Sequence, residues 1–249
     1  MYKTGRNFWE RTKYRYLEST EQKKGREKPP LELEYPKDSI IIDLPKPEDL
    51  KIASFDLREA IEKRTSIRKY SEEQLSLEEL SYALWCTQGI KEVVPGVTTF
   101  RTVPSAGACH AFETYVLVNK VEEIEPGLYR FLAIKHALLG IKFGDDLADK
   151  LTEACLGQKF VKTGALAFFW VAVRERMTWR YGERGYRYLL LDAGHICQNL
   201  YLSGLSLGCG TCAIAAFEDD DLNSVLDLDG QDEFVVYGAS LGKRRNPLE

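Results

Sequence analysis

Arg64-Thr65-Ser66-Ile67-Arg68 places two guanidiniums and two short hydroxyls within five residues, where a helix-like stretch ends. An arginine fork grips phosphate oxygens in pairs and a neighbouring hydroxyl adds a donor, so this run suits an anion with several oxygens. Far downstream, Gly242-Lys243-Arg244-Arg245 follows a strand-like apolar run and can close on the same anion. Each cluster alone also fits a solvated surface group. Together, so distant in the chain, they point to a folded phosphate pocket rather than a linear basic tail.

A second group of candidates lies in Gly208-Cys209-Gly210-Thr211-Cys212-Ala213. The Cys-x-x-Cys spacing fits a redox dithiol or half a zinc site, but no second pair completes a metal site, and a thioredoxin-like motif needs a strand before it and a helix after it. The same stretch matches a relaxed dinucleotide fingerprint in the wrong structural order. What remains is the smallness of Ala213, Ala215 and Ala216, which exposes backbone amides that a flat ligand can approach closely. His110, His136 and His195 have no metal-ligand spacing, and His195, three residues after Asp192, reads as a packing residue. No Gly-Lys-Ser/Thr phosphate loop occurs.

These residues need elements to hold them. Asp56 and Ser76 each stand where a helix cap belongs, and Ser76-Leu77-Glu78-Glu79 is a capping box opening a helix that stops near Gly89. Strands are expected at Thr114–Val121, at Leu128–Leu132 after the Pro126-Gly127 turn, at Ala165–Val173 with both faces buried, and at Glu233–Leu241. Short helices are expected at Asp146–Cys155 and Asp220–Leu226. Tyr188–Leu205 is the longest helix candidate, apolar nearly all round and therefore central. Pro29, Pro30, Pro36, Pro45 and Pro47 punctuate Leu31–Leu50 and favour an extended path there, and Ile40-Ile41-Ile42 needs a surface, for which a partner subunit is the expected provider.

The chain of 249 residues carries a net charge of −4, which gives no nucleic-acid-wide basic surface. Residues 1–28 hold nine Lys/Arg against four Glu, read as a solvated helix rather than an RNA or membrane contact. The longest apolar run, Ala165–Val173, is too short to span a bilayer, and Met1–Lys28 lacks the apolar core of a secretory signal. The expectation is a soluble, cytoplasmic protein with six reduced cysteines, no nucleic-acid partner and no membrane.

From about Ala53 to the end, several segments in order resemble the nitroreductase superfamily of FMN flavoproteins, and within it the SagB-type dehydrogenases. They are Arg64–Arg68, Leu77–Gly89, Thr102–Ala108, Pro126–Tyr129, Tyr181–Tyr188, Asp192–His195 with Gln198–Leu200, Gly208–Phe217 and Gly242-Lys243. The resemblance implies an α+β fold, a mostly antiparallel central sheet flanked by helices, and a homodimer with FMN at the subunit interface. Residues 1–52 then form an arm, extended and partly helical, and residues 53–249 the FMN-binding domain. Arg64, Thr65, Ser66 and Arg68 match the phosphate grip, with Lys243 and Arg245 as its C-terminal complement. Pro104, Ser105, Ala106 and Gly107 match a loop against the flavin of the other subunit, and Ile214, Ala215 and Ala216 match the segment facing the N5 and O4 edge. Arg180-Tyr181 stands where SagB-type azoline dehydrogenases, which oxidise heterocycles in modified peptides, tend to carry Lys-Tyr. Arginine keeps its charge and is a poor base. The expected activity is therefore an FMN-dependent oxidoreductase passing electrons from NAD(P)H to a small flat acceptor, with Arg180 and Tyr181 as the candidate catalytic side chains. The alternatives are an azoline dehydrogenase or a non-catalytic flavin-binding protein.

Overall fold

Ala165–Val173, the longest apolar run, supplies an interior strand of a seven-stranded sheet in the computed structural model, which describes residues 2–246. The strands are β1 (Ile41–Asp43), β4 (Phe112–Val118), β5 (Gly127–Leu132), β6 (Ala137–Lys142), β7 (Leu166–Val173), β8 (Cys209–Ile214) and β9 (Glu233–Lys243). Their order across the sheet is β1-β6-β5-β4-β7-β9-β8, with every neighbouring pair antiparallel. A separate hairpin joins β2 (Ile90–Val94) to β3 (Thr98–Arg101).

Side chains of β7 alternate between two cores, as strand geometry requires. Leu166, Phe168, Trp170 and Ala172 join one core with α3 (Leu77–Gln88) and α7 (Gly185–Ser206). Ala167, Phe169 and Val171 join the other with α4 (Leu147–Ala154), α5 (Phe160–Thr163) and α8 (Asp219–Val225). Each fully buried large apolar side chain contributes about 1.5–3 kcal/mol relative to exposure. The fold is thus α+β, a mostly antiparallel sheet flanked by helices on both faces.

The local signals for the helices are met. Asp56 Oδ1 accepts from the Glu59 N–H at 3.0 Å and opens α2 (Leu57–Lys63). Ser76 and Glu79 close the expected capping box, at 3.2 Å and 3.0 Å. In α7, Leu189, Ala193, Ile196, Cys197 and Leu200 are buried, whereas Leu190 and Leu191 are 58% and 59% exposed. His195 is exposed too, so it is not the packing residue its spacing suggested.

The N-terminal arm is tied to the rest of its own chain at several points. After α1 (Lys3–Arg11), Arg176 Nε donates to the Pro30 carbonyl at 2.7 Å, Leu33 N–H to Glu113 Oε1 at 3.0 Å, and Arg130 Nη2 to the Leu33 carbonyl at 2.8 Å. β1 then pairs with β6, Ile41 opposite Leu139. Ile41 and Ile42 are thus half-buried at an edge of the protomer's own sheet, while Ile40 is 59% exposed. No helix among the described residues is long and apolar enough to cross a membrane.

Candidate functional site

Arg64 leaves α2 into a segment that lies across the β8 edge of the sheet. Ser66 bridges Thr211 in parallel, and the Ile67 N–H donates to the Thr211 carbonyl at 3.0 Å. The approach is close enough to dictate sequence in β8: a Cβ on Gly210 would stand 2.4 Å from Ile67 Cβ, so only glycine fits. Tyr70 is buried beneath the segment, its hydroxyl donating to the Ile67 carbonyl at 2.8 Å and sharing a 2.6 Å bond with Ser240 Oγ. Burial raises the Tyr70 phenol well above its ordinary range, leaving it a neutral strut.

This crossing brings the two basic clusters together. Ser66, Ile67, Arg68 and Lys69 face Arg244, Arg245 and Asn246 around a cavity of about 470 Å³. Among the described residues, Arg244 Nε and Nη2 are buried and have no hydrogen-bond partner. Two donors of a permanently charged group left unpaired in the interior are costly, and their complement is an anion's oxygens. Arg245 Nε donates to the Tyr70 carbonyl at 2.8 Å, leaving its other nitrogens available. Lys243 is engaged elsewhere: its Nζ donates to Glu79 Oε1 at 2.5 Å and to the Leu207 carbonyl at 3.0 Å. Arg244, rather than Lys243, joins Arg245 as a C-terminal cation on this cavity. Arg64 and Thr65 do not line it either, and the Arg64 guanidinium rests 5.2 Å from the centroid of the Tyr201 ring.

Tyr201, absent from the sequence candidates, ties the cavity to β8. Its hydroxyl shares a 2.9 Å bond with Ser66 Oγ and accepts from the Ala213 N–H at 2.9 Å. Beyond the last paired residue of β8, Ile214, come Ala215 and Ala216, both exposed. No hydrogen bond among the described residues uses either N–H, while the Ala216 carbonyl accepts from Gln158 Nε2 at 2.7 Å. Two small residues thus present free amides at a strand end. Cys209 and Cys212 point into opposite cores of the sheet, which rules out a dithiol or shared metal ion, and burial pushes the Cys209 thiol up to about 12.

A second cluster forms where the Pro104–Gly107 loop meets the end of α6 (Arg174–Tyr181). Pro104 is exposed, whereas Ser105 is committed to structure. Its Oγ donates to Asp192 Oδ2 at 2.6 Å and accepts from the His110 N–H at 2.9 Å, and the Ala106 N–H donates to Asp192 Oδ1 at 3.2 Å. Gly107 has φ +59°, and a Cβ there would lie 2.4 Å from the Tyr181 hydroxyl oxygen and 2.9 Å from Arg180 Nε. Arg180 Nη1 approaches the Gly107 carbonyl at 3.4 Å. Tyr181 packs edge-on against Tyr188, ring centroids 4.8 Å apart, and burial raises its phenol. Within one protomer, no hydrogen bond or shared cavity among the described residues joins this corner to the basic cavity.

His110, which closes the loop, is pushed down to about 3 by burial and by the charge of Arg101. It stays neutral in the folded protein, while the unfolded chain takes up a proton below the ordinary value of 6.5. Stability from this group is complete above pH 6.5 and is lost as pH falls from there toward 3. Thermal melts across that range should therefore fall more steeply for the parent than for His110→Asn. Parallel slopes for the two would rule out the buried neutral imidazole.

The model of the nitroreductase family matches residues 61–243. A Methanocaldococcus jannaschii protein described as a nitroreductase is 35% identical over 189 residues, which are 76% of this chain and 90% of that protein. The trifolitoxin-processing protein TfxB of Rhizobium leguminosarum bv. trifolii is 32% identical over 167 residues, 64% of this chain but 45% of TfxB. A crystal structure from Ralstonia eutropha, also described as a nitroreductase, superposes with a TM-score of 0.68 at 24% identity, covering 88% of this chain and 98% of that one. That likeness concerns the fold.

Proposed function

The chain belongs to the nitroreductase family of oxidoreductases, and on that premise we propose that it binds FMN and uses NAD(P)H to reduce a small flat acceptor. The observation that carries the proposal is the pair of unpartnered buried donors on Arg244, in a cavity also lined by Ser66, Arg68 and Arg245. A phosphate monoester supplies the oxygens those donors lack. The free N–H groups of Ala215 and Ala216 suit the polar edge of a flat ring, and their methyl side chains permit the approach.

Bound FMN supplies the hydride chemistry. The chain's own residues then do the rest. Ser66, Arg68, Arg244 and Arg245 hold the phosphate, with Tyr70 and Tyr201 fixing the segment that carries Ser66. Lys243 keeps its ammonium on Glu79 and so holds α3 against the end of β9. The Pro104–Gly107 loop, pinned by Asp192, is assigned to a wall of the substrate side, contributed across a two-fold homodimer. Leu190 and Leu191 of α7, with Leu57 and Ile61 of α2 at 64% and 59% exposure, form the apolar surface proposed for that contact.

Purified protein is expected to be yellow, to release FMN identifiable by mass, and to bleach anaerobically with NADH or NADPH. A colourless preparation that takes up no added FMN would defeat the proposal. The similarity to TfxB favours one second reading, oxidation of an azoline ring in a modified peptide. It calls for a heterocycle product two hydrogens lighter than its azoline substrate. Arg180, which holds its proton, weighs against it as a base.

A further inference from the structure

Residues 1–60 lie outside the span of the family model, and part of them, from Trp9 to Lys28, packs around the Arg180–Tyr181 corner. Gln22 N–H donates to the Trp179 carbonyl at 2.9 Å, and Trp179 Nε1 donates to the Arg26 carbonyl at 3.0 Å, so the arm straps α6 just before the corner. Lys28 Nζ donates to the Val97 carbonyl, and the adjacent Thr98 Oγ1 donates to the Ala108 carbonyl at 2.8 Å, beside Gly107. On the other flank, the Tyr14 and Tyr188 hydroxyls share a 2.9 Å bond, and the Tyr188 ring packs on Tyr181. Arg184 is held between two of these rings, 4.1 Å from the Tyr14 centroid and 5.4 Å from that of Tyr188, with Nη1 donating to the Thr12 carbonyl at 2.9 Å. Arg187 lies 4.0 Å from the Trp9 ring centroid.

Lys28, Arg180, Arg184 and Arg187 thus gather at one corner, and among the described residues none of them makes an ion pair. Glu27 and Glu183, the carboxylates adjacent in sequence to Lys28 and Arg184, pair with none of them among the described residues. Aromatic faces and main-chain carbonyls hold these cations in place but do not neutralise them. Burial and the charge of Arg180 both hold the Lys28 ammonium below its ordinary value, so the cations feel one another. Uncompensated positive charge among flat rings is a recognition surface for a flat anion.

We propose that this corner binds the anionic group of a flat substrate, with Arg180 and Arg184 as the contacts and Tyr14 positioning Tyr181 through Tyr188. The proposal rests on the flavin reading above. The anion has two possible sources with the same chemistry: the phosphates of the nicotinamide nucleotide, or a carboxylate on the acceptor.

Stopped-flow measurements on the FMN-loaded protein separate these. Flavin reduction is followed with NADPH and with uncharged N-benzyl-1,4-dihydronicotinamide. Reoxidation is followed with 4-nitrobenzoate and with nitrobenzene. Arg180→Gln, at an exposed position, should lower the second-order rate constant for the charged member of at least one pair about ten-fold more than that for its neutral member. The affected pair identifies the source. Raising salt from about 0.05 to 0.5 M should erode the same parent rate and affect the variant less. Tyr14→Phe, which keeps the ring and loses only the hydroxyl bond, should shift the same rate in the same direction by a smaller factor. Equal factors for charged and neutral members in both pairs would overturn the corner's role while flavin binding stands. Failure to take up FMN at all would instead overturn the functional reading beneath it.

Discussion

Arg244→Ala is expected to weaken FMN binding by about ten-fold to over a hundred-fold, the range set by one charge-assisted hydrogen bond of about 1.5–3 kcal/mol. The parent residue holds two buried, unpaired donors, so its guanidinium is pre-positioned and pays little to meet a phosphate. Arg68→Ala, on the opposite wall of the same cavity, should fall in the same range. Riboflavin is the internal control, because it lacks the phosphate and should bind parent and variants alike. Fluorescence titration with both ligands decides the matter. If Arg244→Ala binds FMN as tightly as the parent does, the cavity is not the phosphate site.

Arg176→Met should cost the fold about 3–5 kcal/mol, the penalty for breaking a buried pair and stranding the remaining charge. Arg176 and Glu113 meet at 2.7 Å with side chains 3% and 4% exposed, and the same guanidinium holds the Pro30 carbonyl. At about 2–4 °C per kcal/mol for a chain of this size, the melting temperature should fall by roughly 6–20 °C. Adding Glu113→Gln removes the stranded carboxylate and should recover part of the loss. A single variant that melts with the parent would show that water reaches the pair.

Which of these features the sequence reveals depends on whether the signal is local. The capping residues Asp56 and Ser76, the two-faced apolar run of β7 and the long α7 are legible because composition alone specifies them. Meeting of the two basic clusters is also legible, since paired arginines far apart share one chemical use. β8 is not: Gly210 and the two cysteines look like a loop, yet small residues are what an edge strand needs when another segment lies directly on it. α6 is hidden because only Arg176 and Met177 along it are buried, so no apolar stripe marks it. Lys243 and Arg244 cannot be ranked from sequence, because adjacent strand residues face opposite ways and the choice depends on where Glu79 stands. Tyr14 and Tyr201 act through hydroxyls that meet residues 174 and 135 positions away, beyond any spacing rule.

The segment lying on β8 also governs how the protein behaves without its ligand. β8 is an outer strand of the sheet, and its backbone is shielded by little more than the Ser66 bridge and the Ile67 bond. Ser66 in that shield is also assigned to the phosphate, and Ile67 lines the same cavity. Filling the cavity therefore clamps the shield, and emptying it loosens the cover over a ready template for strand addition. Self-association through the sheet is consequently the expected hazard of the ligand-free form, and a phosphate-bearing ligand bound as proposed is expected to protect colloidal stability as well.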